Sequence, residues 1–224
     1  MTREAGLRER KKQRTRDLIA DTALQLFLER GFEAVTVVDV ARAADVDVKT
    51  IYNHFASKPD LFYHRLEAFG EALVDAVRTR AVGESVVSAF GRFLLGARGL
   101  LAEPRGGERL RAVNEMIMRS PTLLAHEEQV YARFTASLSA LLAEETGAQP
   151  TDAEPWVVAH ALIGLHRALV RYVREASSGG TAHATLRRLV QAQAKGALAM
   201  LERGLAGYGI RSTADLPARP ASSR

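Results

Sequence analysis

The chain has 224 residues, 47% of them hydrophobic, and a formal charge of +5, enough to bury a real core in one compact domain with an appendage or in two modest domains. It has no cysteine, which excludes a disulfide framework, a thiolate metal site and a thiol nucleophile and fits a reducing compartment. No uncharged run approaches the roughly 18 apolar residues of a membrane span, and the first twenty residues lack the apolar stretch of a secretory signal, so a soluble, cytoplasmic protein is expected.

The net charge is concentrated at the start. Residues 1–16 hold Arg3, Arg8, Arg10, Lys11, Lys12, Arg14 and Arg16 against Glu4 and Glu9, which accounts for the whole +5; the rest of the chain balances. Residues 1–13 read as a flexible basic arm, either a phosphate-seeking device or a solvated, disordered tail. From there on apolar residues recur at i, i+3, i+4, and helices are expected throughout. The first spans about 14–30 with Ile19, Ala23, Leu26 and Phe27 inward, and Gly31 followed by Phe32 predicts a Schellman cap. Thr36 caps the second, with Asp39 three residues on as an imperfect capping box. That helix is short, its stripe of Val37, Val40, Ala41 and Ala44 allows close approach, and it ends near Asp45, a residue tolerated in left-handed turns. Asp47 then caps a third helix.

The third helix carries the most specific pattern. At about 100° per residue, Val48, Ile51, Tyr52 and Phe55 fall on one side and Lys49, Thr50, Asn53 and His54 on the other. One face packs, and the other is offered to a partner. Three helices with a tight turn before the last describe a helix-turn-helix, whose second helix normally enters the DNA major groove. The exposed chemistry suits that place: Asn pairs with adenine, Lys reaches guanine or phosphate, Thr offers a hydroxyl, and His bonds a phosphate. The next helix opens with Ser57-Lys58-Pro59-Asp60, another capping box. Lys58 there opposes the helix dipole, which a phosphate bound at the helix start would explain.

With these residues in place, the stretch ALQLFLERGFEAVTVVDVARAADVDVKTIYNHFASKPDLF, within residues 14–66, resembles the N-terminal domain of the tetracycline-repressor (TetR) family of bacterial regulators. The shared features are the RGF close of the first helix, the Thr36 cap, the T-I-Y-x-H-F run and S-K-x-x-L-F. The resemblance implies an all-α homodimer with a helix-turn-helix head over residues 14–64 and a C-terminal bundle over 65–210 for ligand binding and dimerisation, usually acting as a repressor. Carried over by position, it implies DNA-backbone contacts for Thr36, Tyr52, His54 and Lys58 and base-facing roles near Lys49, Thr50 and Asn53. Asp45 stands where the family usually has glycine, Asp47 where it has Ser or Thr, and Asn53 where an aromatic is frequent. Asn53 therefore implies a base preference of its own.

Beyond residue 66 the reading rests on periodicity. Phe62, Leu66, Phe69, Leu73 and Val77 make a stripe along a helix to about Arg80, and further helices are expected at about 84–102, 107–119, 121–146, 153–177 and 181–206. Residues 211–224 read as a disordered tail. In the penultimate helix Val158, Ala161, Leu162, Leu165, Ala168, Leu169 and Tyr172 share one face, core or dimer interface. Trp156, His160, Ile163, Arg167, Arg171 and Arg174 share the opposite stripe, readable as a pocket wall, a dimer rim or plain solvent exposure. Candidate effector contacts are Met116, Phe134, Trp156, His160 and Arg167, with Phe90, Phe93, Met118 and Tyr131 as further aromatic or methionine positions.

Nothing in the sequence points to catalysis. There is no nucleophile elbow, metalloprotease helix, Walker loop or dinucleotide fingerprint, and His160 and His166, six residues apart, make a poor metal pair. No cofactor and no metal is expected. The expected partners are operator DNA, a small apolar effector and a second copy of the chain; the competing reading is a constitutive DNA-binding regulator without an effector.

Overall fold

The computed structural model describes residues 2–96, 106–149, 151–179, 181–205, 208 and 210. Among these residues the secondary structure is α-helical, without strands: α1 (Thr2–Arg30), α2 (Val37–Ala43), α3 (Val48–His54), α4 (Lys58–Arg78), α5 (Val86–Gly96), α6 (Gly106–Arg119), α7 (Pro121–Thr146), α8 (Glu154–Ser178) and α9 (His183–Leu205). Each expected helix has a counterpart among the described residues; the stretch 97–102 of the helix expected over 84–102 and residue 206 of the last one lie outside them. The main departure is α1, which begins at Thr2 rather than near residue 14. The basic arm is a helical extension, because Arg, Lys, Glu and Gln are good helix formers whose charges stay in water along a rod. The expected tail at 211–224 lies outside the described residues.

The chain divides into two compact units, residues 1–69 with 108–130 and residues 70–107 with 131–224. The boundary expected after residue 64 falls after 69, and residues 108–130, expected in the C-terminal body, group with the head. In the first unit Phe27, Phe32 and Phe62 meet with ring centroids 5.1, 6.2 and 6.1 Å apart, and Tyr63 lies 5.0 Å from Phe62. Such aromatic pairs add to the area that each ring buries. Gly31 closes α1 at φ 86 with its N–H on the Phe27 carbonyl at 2.8 Å. This is the single-bond left-handed cap rather than the Schellman form. The Schellman form appears instead after α2: Val46 N–H reaches the Ala41 carbonyl at 3.0 Å, Asp45 N–H reaches Arg42 at 3.4 Å, and Asp45 has φ 54.

Polar contacts fix α1 to α4 inside this unit. His64, almost fully buried, meets Asp17 Oδ1 at 2.8 Å, and Arg65 donates to Asp21 Oδ1 from two nitrogens at 2.7 and 3.1 Å. At the start of α7, Ser120 Oγ donates to Glu33 Oε1 at 2.7 Å.

In the second unit α8 packs on α9, and α5 packs on both. Val86, Val87, Ala89, Phe90, Leu138, Leu142, Leu162 and Ile163 are buried there. Arg80, only 2% exposed, pairs with Glu145 at 2.7 Å and donates to the Val77 carbonyl at 2.8 Å. A buried charge of this kind is tolerated only when paired and hydrogen-bonded. Gly70 lies in α4 where a Cβ would run into the ring of Phe134. The missing side chain lets that ring lie against the helix backbone.

Candidate nucleic-acid interface

The candidate site is built on α3. Asp47 sits at its N-cap in extended conformation, as the sequence predicts, but makes no side-chain cap bond. Ile51 and Phe55, 1% and 2% exposed, anchor the helix, each burial contributing on the order of 1.5–3 kcal/mol. Val48 is half-buried. Tyr52 departs from the angular reading: placed among the packing residues, it is 56% exposed. Seven residues make less than two full turns, so the edge of the apolar stripe faces water wherever no neighbouring helix covers it. Lys49, Tyr52 and Asn53 therefore form the exposed strip at i, i+3, i+4, with Thr50 and His54 half-buried on either side.

His54 is held below the ordinary histidine range, first by desolvation and then by the positive charges of Lys12 and Arg16. Its imidazole is neutral at neutral pH, a hydrogen-bonding group rather than a charge. The same two cations belong to α1, and the Arg16 guanidinium lies 5.4 Å from the Phe55 ring centroid. The exposed Arg8, Arg10, Lys11, Lys12 and Arg14 continue along that helix. Residues 2–14 carry them on a rod of about 20 Å. The sequence reading missed this neighbourhood because a flexible arm has no defined face.

Thr36 and Asp39 make the complete capping box. Thr36 N–H donates to Asp39 Oδ2 at 2.9 Å, Asp39 N–H donates to Thr36 Oγ1 at 3.1 Å, and the Thr36 hydroxyl donates back to Oδ2 at 2.5 Å. The Thr36 hydroxyl, followed by its backbone N–H, holds the Asp39 carboxyl below the usual carboxylate range. Asp is thus long enough for a box that normally uses Glu or Gln. At the next helix, Ser57 N–H donates to Asp60 Oδ2 at 2.8 Å.

Lys58 has partners that the sequence did not suggest. Its Nζ donates to the carbonyls of Phe32 and Val35 at 2.8 and 3.1 Å and lies 4.2 Å from the Phe32 ring centroid. The ammonium ties the start of α4 to the loop between α1 and α2, so two of its three donors are committed within the chain.

The candidate effector residues fall in both units. Met116 belongs to the first unit and the other four to the second. Phe134 is buried against Gly70 and lies 5.8 Å from the Tyr131 ring. Trp156 is 56% exposed and its ring centroid lies 3.7 Å from that of His160 at a tilt of 35°, and His160 Nδ1 meets the Trp156 carbonyl at 2.9 Å. Both are exposed on α8. Arg167 is exposed and covers the Tyr131 ring at 4.9 Å. Ile163, assigned to the polar stripe, is 2% exposed, because α8 has helices against more than one of its sides.

The sequence reading weighed His166 only as a poor metal partner for His160. It is buried, 5.9 Å from Tyr131, and desolvation pushes its imidazole down to about 4. The only sequence signal was a polar residue flanked by Leu165 and Leu169 on the apolar side of α8.

Across the outer faces of α8 and α9 runs a groove of about 420 Å³ lined by Ala161, Gly164, Ala168, Tyr172, Ala197 and Met200 among others. Its α8 side mixes Ala161, Gly164 and Ala168 with Leu165, Leu169, Arg171, Tyr172 and Glu175, and Met200 is 60% exposed.

Comparison with known proteins agrees with this geometry. The family model for bacterial regulatory proteins of the tetR family matches residues 19–64, and the model for the MftR C-terminal domain matches residues 84–206, more than half of the chain. The chain is 34% identical over 155 residues to the HTH-type transcriptional regulator TcmR of Streptomyces glaucescens, covering 66% of this chain and 67% of that one. It is 26% identical over 163 residues to the putative mycofactocin biosynthesis transcriptional regulator MftR of Mycobacterium tuberculosis, covering 70% and 78%. Among solved structures, the fatty acid degradation regulator FadR of Bacillus halodurans shares the fold with a TM-score of 0.50 at 21% identity, covering 82% of this chain and 94% of that one.

Proposed function

Because the chain belongs to the tetR family of bacterial regulatory proteins and is a DNA-binding transcriptional regulator, we propose that it is a dimeric repressor which reads a palindromic operator through α3 and is released by a small apolar molecule. The observation that carries the reading is the exposed strip of Lys49, Tyr52 and Asn53 over the buried Ile51 and Phe55. Lys49, Thr50 and Asn53 supply base-edge chemistry; Tyr52 and the neutral His54 supply hydrogen bonds to phosphate. Thr36, exposed at the start of α2, lies at the other end of this backbone-contacting set, and the cations of α1 add a salt-dependent attraction. This reading puts the protein in the cytoplasm, beside the chromosome.

One head offers few base contacts, and two-fold proteins read two-fold sites. The outer faces of α8 and α9, with small residues along the groove and exposed Leu189 and Met200, suit helix-on-helix packing against a second copy. Effector uptake is supported by the cluster of Tyr131, Phe134 and His166, which joins aromatic surface to a buried imidazole inside the second unit. Release requires only modest coupling, since about 2.7 kcal/mol changes operator affinity roughly a hundredfold.

The reading is tested by selecting a binding site from random duplexes and measuring mass by light scattering with and without it. A two-fold symmetric site bound by a dimer is expected. A monomer in both states would overturn the dimeric reading. Apolar compounds found by thermal shift are then titrated against the labelled operator complex; a compound that binds yet leaves operator affinity unchanged speaks against release.

A further inference from the structure

Asp60 and Glu67 are seven residues apart on α4, two helical turns, so they project from one face. His126, on α7, belongs to the same unit of the fold, and one ligand atom from each of the three lies within 4.8 Å of the others. Asp60 Oδ1 and His126 Nε2 are 3.0 Å apart. Two donors each roughly 2.1 Å from one tetrahedral ion stand about 3.4 Å apart, so a few tenths of an ångström of opening would bring this pair to the edge of a metal site. The Nε2 atom is buried and makes no well-aligned hydrogen bond, despite its nearness to the carboxylate.

Both groups are already oriented. Ser57 N–H holds Asp60 Oδ2 at 2.8 Å, which leaves Oδ1 towards the histidine. The imidazole is stacked on the Tyr63 ring, 5.5 Å between centroids and 24° between planes, and Tyr63 is itself fixed by its hydroxyl donating to the Leu123 carbonyl at 3.0 Å. Contacts that fix ligand orientation in this way are the supporting shell of a metal site. The side chains of Asp60, His126 and Glu67 are only 17%, 12% and 18% exposed, so two carboxylates face each other across a half-buried space. Glu67 Oε2 also lies 3.6 Å from the Arg16 guanidinium.

We propose that Asp60, Glu67 and His126 form a binding site for a divalent first-row transition ion, which clamps the first three turns of α4 to α7. One imidazole and two carboxylates suit Zn²⁺ better than Mg²⁺ or Ca²⁺, which take oxygen ligands alone. Water completes the coordination. Because α4 follows α3 directly in sequence, the ion stabilises the unit that presents the DNA-facing strip.

The probe is Zn²⁺ itself, titrated calorimetrically into tag-free, EDTA-treated full-length protein, with thermal unfolding read in parallel. One ion per chain is expected, with a rise in melting temperature that EDTA reverses. Glu67→Gln and His126→Gln should each weaken the affinity by about a hundredfold and abolish that rise. Absence of saturable binding overturns the proposal and leaves Asp60 and His126 as an ion pair. Binding retained in both variants overturns it too, since the ion then sits elsewhere. The Glu67 side chain is somewhat less buried than that of His126, so Glu67→Gln decides the matter should His126→Gln fail to fold. None of these readouts needs DNA, so the outcome is independent of the regulator reading.

Discussion

At the first position of α4, Lys58 faces the positive end of a helix dipole, an unfavourable place for a cation. The two carbonyls that it bonds, Phe32 and Val35, are acceptors that the loop between α1 and α2 would otherwise leave to water. Lys58→Ala is therefore expected to destabilise the protein by about 1–2 kcal/mol through lost charge-assisted bonds, besides any loss of phosphate contact. Denaturant unfolding of the variant measures the first effect and the salt slope of DNA binding the second. A variant as stable as the wild type would remove the clamp. Asn53, exposed in mid-strip, carries no such duty. Asn53→Ala should cost on the order of 1–3 kcal/mol on the selected operator and leave scrambled duplex unchanged; equal losses on both would show that Asn53 reads backbone. Asp45 gives a third case. Its φ of 54 completes the Schellman turn between α2 and α3 at a steric cost that glycine escapes. Asp45→Gly should raise stability by about 0.5–1 kcal/mol, and a fall in the denaturation midpoint would contradict it.

For the elements, the close contact of α4 with α7 in the second unit depends on a single absent side chain. A Cβ on Gly70 would overlap the Phe134 ring, and a ring buried in a packed core has little room to retreat. Gly70→Ala should destabilise by about 1–3 kcal/mol, as overpacking does, in spite of alanine's better helix propensity. Phe134→Leu placed in the same chain should restore part of the loss. Additive losses in the double variant would show that the two positions do not touch.

On the scale of the whole molecule, the buried His166 makes stability depend on pH. Its imidazole titrates at about 4 in the fold and near its ordinary value when unfolded, so between these values the unfolded chain binds the extra proton. Stability is then fully present above pH 6.5 and is lost as pH falls towards 4, by about 3 kcal/mol in all. His166→Phe should remove this contribution. The difference in unfolding free energy between the two proteins, measured from pH 7 to pH 4, should shift in favour of the variant as the pH falls. A difference independent of pH would mean that His166 does not stay neutral.

The sequence by itself determined the helices, the helix-turn-helix and the polar strip of α3, because caps, turns and the 3.6-residue period are local and each residue's part is set within a few neighbours. Thr36, Asp45 and Gly31 perform at their own positions what their residue types predict. Only the tertiary structure decided what each face meets. Tyr52 is exposed and Ile163 buried because of neighbouring helices, which angular position along one helix does not reveal. Lys58 finds its carbonyls 23 and 26 residues back along the chain, and His126 meets Asp60 from a different helix. The start of α1 is helical because propensity, not charge, governs a solvated segment. Periodicity fixes which side chains share a face; the partner across that face is a matter of packing, and packing joins residues whose separation in sequence carries no signal.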